Sequence, residues 1–98
     1  MNDYLISLQS FILNELQDED VKVVLFGSRA RGDQNPSSDV DIGIMPVGKF
    51  NKNKIIFLKE KVEQLNIPYK VEFVLLSEVS EDFRTEVLKE ALVWKDCP

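Results

Sequence analysis

Apolar residues recur along the chain at two different spacings, which predict where its helices and strands lie. The first group recurs every three or four residues, the period of a helix with one buried face, and comprises Leu5, Leu8, Ile12 and Leu16. Asn2 or Asp3 stands before this group and can cap the helix. Runs rich in β-branched and aromatic residues predict strands over residues 21–26, 40–45 and 69–76.

The helical spacing returns twice in the second half of the chain. A helix is predicted from Asn51 or Asn53 to about Asn66, where Pro68 follows. Ser80 can cap a last helix, whose predicted apolar face comprises Phe83, Val87 and Leu88. Residues 92–94 predict a short terminal strand. With a turn of helix after the first strand, the order α-β-α-β-α-β-α predicts an α/β (α+β) fold, with helices packed on a small mixed sheet.

Length and charge limit the classes of function. The 98 residues, 44% of them hydrophobic, predict a single domain over residues 1–98. A net charge of −5 argues against direct binding of nucleic acid. Five lysines between residues 49 and 61 form a candidate basic patch, but Glu60 and Glu63 interleave with them, which favours a solvated helix face.

Cysteine, histidine and membrane signals point to a cytoplasmic protein whose metals are bound by oxygen. Cys97 is the single cysteine and has no partner for an internal disulfide. No apolar run predicts a signal peptide or a membrane span. Because the chain has no histidine, any metal site must use oxygen ligands, which favours Mg²⁺ or Mn²⁺.

The candidate chemistry lies between residues 26 and 44. Gly27-Ser28 ends the first strand and opens a helical turn over residues 28–31, where backbone N–H groups suit a phosphate. Asp39 and Asp41 begin the second strand two positions apart, so their carboxylates share one face of the sheet. A phosphate-binding turn beside paired carboxylates predicts binding of a metal-bound nucleotide.

Two other motifs nearly match and are excluded. The spacing of Gly27 and Gly32 is that of a Walker A loop, but Asp33 occupies the place of its lysine. Asp39-x-Asp41 is compatible with the start of a calcium loop, but Gly43 and Ile44 replace the third ligand and the turning glycine.

Together these residues resemble the active-site motif of the DNA polymerase β nucleotidyltransferase superfamily. Residues 27–32, Gly-Ser-Arg-Ala-Arg-Gly, followed by Ser38-Asp39-Val40-Asp41, are similar in particular to its minimal nucleotidyltransferases (MNTs), the antitoxin partners of HEPN-domain toxins. The resemblance implies a polymerase β-type fold and transfer of AMP from ATP to a hydroxyl group.

Glu72 is the candidate third carboxylate. It is the only charged residue of the predicted third strand, in which its same-face neighbours are apolar, although an edge-strand surface residue would look similar. Convergence with Ser28, Asp39 and Asp41 requires that the first two strands run antiparallel and that the second and third run parallel. The family usually has aspartate at this place, so Glu72 departs from its pattern.

The resemblance assigns a role to each of these residues. Asp39, Asp41 and Glu72 would be the catalytic metal ligands for two ions, Mg²⁺ or Mn²⁺. Gly27 and Ser28 would bind the phosphates of the nucleoside triphosphate ATP, with assistance from Arg29 and Arg31, although for either arginine alone the residue type favours a surface ion pair. The implied acceptor is a tyrosine of a partner HEPN toxin, with no nucleic acid or membrane partner. The alternative is a non-catalytic module that binds nucleotide or toxin.

Overall fold

One mixed sheet forms the centre of the protein, which a computed structural model describes for residues 2–96. In the spatial order β3-β2-β1-β4, its strands are β1 (Val21–Phe26), β2 (Val40–Pro46), β3 (Val71–Leu75) and β4 (Leu92–Lys95). β1 is antiparallel to β2 and β4, whereas β2 and β3 are parallel. For the first three strands, these directions are those predicted as the condition for Ser28, Asp39, Asp41 and Glu72 to converge, and the prediction of strand direction is confirmed. Cys97, which the sequence predicts to be unpaired, lies outside the described residues.

The helices connect and flank these strands, and are α1 (Asp3–Glu15), α2 (Ser28–Arg31), α3 (Asn53–Glu63) and α4 (Glu81–Glu90). The Asn2 side chain caps α1 by accepting a hydrogen bond from the Leu5 N–H at 2.9 Å. Ser80 caps α4 in the same way, accepting from the Phe83 N–H at 3.1 Å. α3 is the crossover that the parallel pair β2–β3 requires. None of the helices in residues 2–96 has both the length and the apolar character to cross a membrane.

The structure differs from the predictions in the bounds of some elements and in the burial of α4. α3 ends before residue 66, and Asn66 adopts a left-handed conformation with φ of 54°. β3 is shorter than predicted at both ends, because Tyr69 and Lys70 precede the strand and Leu76 enters a 3₁₀ turn, Leu76–Glu78. The apolar face predicted for α4 is only partly right: Val87 is buried, whereas Phe83 and Leu88 remain 43% and 38% exposed.

The two faces of the sheet are covered unequally. On one face, α1 and α3 bury the larger core, which includes Leu8, Ile12, Ile42, Ile44 and Leu58. On the other face, α4 and the 3₁₀ turn cover a small cluster made of Val24, Phe26, Leu76 and Val87. The lysines of the predicted solvated face include Lys54, which pairs with Glu15 at 3.6 Å, and Lys52, which pairs with Glu78.

Candidate active site

Gly27 holds the turn after β1 in a shape that another residue would not adopt without strain. Its φ is +78° and its ψ is −157°, a region that residues with a Cβ rarely occupy. A Cβ built on Gly27 would also overlap the carboxylate of Asp41. Glycine is therefore needed here for two reasons, its backbone conformation and the close approach of the acid.

The turn of helix that follows is closed by its own backbone. The N–H groups of Ala30 and Arg31 donate to the Gly27 carbonyl, each at 3.1 Å, and the Gly32 N–H donates to the Ser28 carbonyl at 3.0 Å. The first N–H groups of any helix have no acceptor within it. Ser28 stands at this end of α2, immediately after the glycine that contacts Asp41.

Strand register brings three predicted segments to one line across the sheet. Asp41 is opposite Phe26 on one side and opposite Glu72 on the other. Gly27 directly follows Phe26, so the turn begins beside Asp41. Asp39 lies just before β2 and is exposed, whereas Asp41 is half-buried.

The negative charges of Asp39 and Glu72 act on the Asp41 carboxylate. Burial raises the pKa of Asp41, and the negative charges of Asp39 and Glu72 raise it further, while the positive charge of Arg31 lowers it. Like-charge repulsion of this kind is relieved by a cation. Carboxylate oxygens are ligands that Mg²⁺ and Mn²⁺ prefer, so the side chains of Asp39 and Asp41 fit a divalent ion.

Glu72 is held by a neighbour that the sequence predictions did not include. The Lys70 ammonium lies 2.9 Å from the Glu72 carboxylate, and this hydrogen bond and charge lower the pKa of Glu72. Within residues 2–96, no group of three acidic, cysteine or histidine side chains is arranged to hold a metal ion. Lys70 and Glu72 are two positions apart around the start of β3, and this spacing was the available signal for their contact.

The two arginines of the turn lie in different surroundings. Arg31 pairs with Asp33 at 3.2 Å and with Glu90 of α4 at 3.4 Å, and its charge acts on Asp41. Arg29 instead donates two hydrogen bonds to the backbone carbonyl of Ser38. The turn therefore brings Arg31 towards Asp41 but commits Arg29 to a different contact.

An open pocket of about 200 Å³ adjoins the turn. Its lining combines residues of the turn with residues of α4, namely Phe26, Gly27, Arg31, Phe83, Glu86, Val87 and Glu90. Phe26 and Phe83 meet edge to face, with ring centroids 6.2 Å apart. Sequence patterns did not identify Glu86 and Glu90 as pocket residues, because acidic residues on an amphipathic helix look like an ordinary solvated face.

Comparisons with known proteins agree with this architecture. The family model described as "Polymerase beta, Nucleotidyltransferase" matches residues 11–96. No curated protein matches the chain. A solved structure assigned as a minimal nucleotidyltransferase is 26% identical, with a TM-score of 0.72 and coverage of 90% of both chains.

Two similar structures are toxin–antitoxin complexes. One, solved with AMP-PNP, is 22% identical with a TM-score of 0.69 over 89% of this chain and 72% of the other. The second, from Shewanella oneidensis, contains a tri-AMPylated HEPN toxin with its MNT antitoxin. It is 18% identical with a TM-score of 0.63, and the match covers 92% of this chain and 71% of the other. At these identities the likeness of both complexes concerns the fold.

Proposed function

The chain belongs to the polymerase beta nucleotidyltransferase family, and from that premise we propose that it transfers AMP from ATP to a hydroxyl group of a partner protein. The family resemblance inferred from Gly27-Ser28 and Asp39-x-Asp41 is confirmed, as are the fold class and the assignment as a nucleotidyltransferase. The observation that best supports AMP transfer is the packing of the Asp41 carboxylate against Gly27.

The roles proposed for the residues follow from their positions. Asp39 and Asp41 hold the divalent ion, Mg²⁺ or Mn²⁺. When bound, such ions neutralise the triphosphate and lower the pKa of an attacking hydroxyl. Gly27 and Ser28 bind the β- and γ-phosphates through backbone N–H groups and the serine hydroxyl, and thereby hold the pyrophosphate leaving group. Arg31, whose charge already acts on Asp41, adds positive charge on the same side.

Glu72 is the candidate ligand for a second ion. In the described structure its carboxylate pairs with Lys70, so it becomes a ligand only by exchanging the ammonium for the ion. Both side chains are substantially exposed, 70% for Lys70 and 42% for Glu72. Exposed ion pairs contribute little net stability, and this exchange is therefore inexpensive.

The proposed acceptor is a tyrosine of a HEPN-domain toxin, which AMP would silence. Support comes from the Shewanella oneidensis complex, in which a HEPN toxin carries three AMP groups beside an MNT antitoxin. The AMP-PNP in the other complex supports an ATP-like substrate. Since ATP and such a toxin are both cytoplasmic, we place the reaction in the cytoplasm.

A second candidate function is a non-catalytic antitoxin that binds its toxin or a nucleotide. The observation that favours it is the Lys70–Glu72 pair, because among residues 2–96 no three ligands are grouped for a metal. In that case the chain would neutralise the toxin by contact alone, without turnover.

Labelling with radioactive ATP separates the two functions. The chain is mixed with a HEPN-domain toxin as the candidate partner and α-labelled ATP, with Mg²⁺ or with EDTA. AMP transfer predicts label on the HEPN protein only with Mg²⁺, and calorimetry should show that ATP binds more tightly with Mg²⁺ because phosphates and carboxylates repel. Toxin neutralisation without any label would establish the binding module instead.

A further inference from the structure

Arg29 joins the phosphate-binding turn to the segment that leads into Asp39. Its Nε and Nη2 atoms both donate to the Ser38 carbonyl, at 3.1 and 2.9 Å. Ser38 is the residue immediately before Asp39. Two donors from one planar guanidinium fix the direction of the contact as well as its length. One side chain of α2 thus determines where the chain approaches β2.

Tyr69 supports this guanidinium from a third segment. The Arg29 Cζ atom lies 4.1 Å from the centroid of the Tyr69 ring, within the range of a cation–π contact. The Tyr69 hydroxyl accepts a hydrogen bond from the Asn2 side chain at 2.8 Å, and its ring meets Tyr4 edge to face. Tyr69 thus contacts both Arg29 and the start of α1.

The segment around Asp39 is tied on both sides. Arg29 holds the carbonyl before it, and the N–H of Val40, directly after it, donates to the Lys70 carbonyl at 2.8 Å. Tyr69 and Lys70 are consecutive residues, so both ties lead to the same point at the start of β3. Asp39 itself is exposed and depends on these backbone ties for its position.

We propose that Arg29 is a positioning residue that sets Asp39 against the phosphate-binding turn, with Tyr69 as its platform, and that it does not bind phosphate. This role rests on the proposed AMP transfer, because it acts through Asp39. It also separates two arginines that look equivalent in the sequence: Arg31 shares the pocket with Gly27, whereas Arg29 lines other cavities with Asn2 and Gln34.

The test replaces the guanidinium but keeps its charge. Arg29→Lys cannot offer the same planar pair of donors, so Mn²⁺ affinity, measured by electron paramagnetic resonance, should fall about tenfold or more, the usual cost of losing an outer partner of a metal ligand. kcat for AMP transfer should fall similarly, and the KM for ATP should rise only in step with the loss of Mn²⁺ affinity, because the ion held by Asp39 and Asp41 binds the triphosphate. Tyr69→Leu should lower Mn²⁺ affinity in the same direction, and the double variant should be no worse than Arg29→Lys alone.

The matched control is Arg84→Lys. Arg84 also donates two hydrogen bonds to backbone carbonyls, those of Leu76 at 2.8 Å and Val79 at 3.3 Å. Its replacement should leave Mn²⁺ affinity unchanged. Equal losses of Mn²⁺ affinity in Arg29→Lys and Arg84→Lys would overturn the proposal by revealing a general loss of structure.

Two other results would also contradict the positioning role. A higher KM for ATP in Arg29→Lys, with kcat and Mn²⁺ affinity unchanged, would make Arg29 a phosphate ligand. Unchanged Mn²⁺ affinity in both Arg29→Lys and Tyr69→Leu would leave Asp39 independent of the contact. If the wild-type protein transfers no AMP, the proposed function fails, but the Mn²⁺ measurements still decide the role of Arg29.

Discussion

The two faces of the sheet differ in the number of apolar residues they bury and in the charged groups they contain. The face under α1 and α3 holds most of the residues buried in the two clusters of residues 2–96, whereas the face under α4 holds four: Val24, Phe26, Leu76 and Val87. The second face has the Asp41 carboxylate and the adjoining pocket instead. Because burial of apolar area is the main source of stability, the first face stabilises a domain whose second face contains mutually repelling acids.

This division explains how so small a chain tolerates such a site. A domain of this size has a net stability of roughly 5–15 kcal/mol. Burial and neighbouring charges raise the pKa of Asp41, so the ionised form of this acid is unfavourable in the fold. The unfavourable charges lie on the thinly covered face of the sheet, where solvent screens the exposed carboxylate of Asp39.

The largest expected effect is on catalysis, from Asp41→Asn. AMP transfer should fall about a thousandfold or more, because the ion that Asp41 would hold supplies several kcal/mol of charge stabilisation in the transition state. The fold should gain stability in EDTA. Since the pKa of Asp41 is raised on folding, the folded state binds the proton more tightly, and the wild-type protein loses stability as pH rises through that pKa.

Thermal melts of wild type and Asp41→Asn at acidic and neutral pH test that sign. The variant should melt higher at neutral pH, with the difference shrinking as the wild-type acid is protonated. A variant that unfolds, or that transfers AMP at the wild-type rate, would mean that the second face has been misinterpreted.

Substitutions of buried residues on the first face should lower the free energy of unfolding and leave AMP transfer unchanged. Ile12→Ala removes a fully buried side chain and should cost about 2–5 kcal/mol of unfolding free energy. Val87→Ala, in the small cluster, should cost only about 1–2 kcal/mol because it removes two methyl groups. Urea denaturation measures both. AMP transfer per folded molecule should stay normal in Ile12→Ala, and a loss of transfer in that variant would mean that the first face also shapes the site.

A glycine pair separates backbone strain from the site itself. Gly27→Ala and Gly32→Ala both place a Cβ at positive φ, +78° and +82°, which costs about 1–3 kcal/mol each. A Cβ on Gly27 also meets the Asp41 carboxylate, whereas one on Gly32 meets nothing within 4 Å. Both variants should lose stability in urea, but only Gly27→Ala should lose AMP transfer. Loss of transfer in both would assign the effect to strain alone.

Local sequence patterns predicted the bounds of an element correctly where a single residue ends it. β1 and α2 have the predicted bounds because a β-branched run ends at Gly27, whose conformation opens the turn. The predicted end of α3 lay too far along the chain because Gln64 and Leu65 suit a helix, yet the helix ends at Glu63 and Asn66 is left-handed. β3 ends early because Leu76 turns to cover the small cluster, a tertiary contact absent from the local pattern.

Side-chain direction within the site was less predictable. Arg29 and Arg31 belong to one turn, and contacts with residues distant in the sequence distinguish them: Arg29 packs against Tyr69, whereas Arg31 pairs with Glu90. Such a contact leaves no local signal. The neighbouring acids were predictable as a group because strand period and strand direction fix them, although which of them act as metal ligands stays a prediction.

The most specific prediction concerns Glu72, at the edge of the second face. If it is a ligand for a second ion, Glu72→Gln should keep ATP affinity, because Asp39 and Asp41 remain, and lose turnover. Glu72→Asp should keep or raise activity by restoring the usual ligand length. Lys70→Met is the control, since it frees Glu72 from its ion pair and should raise affinity for the second ion, seen as a change in Mn²⁺ stoichiometry.

If Glu72 is only an edge-strand residue, its two variants will label the partner as the wild type does. If the chain is a binding module, no variant will label it, yet all will neutralise the toxin.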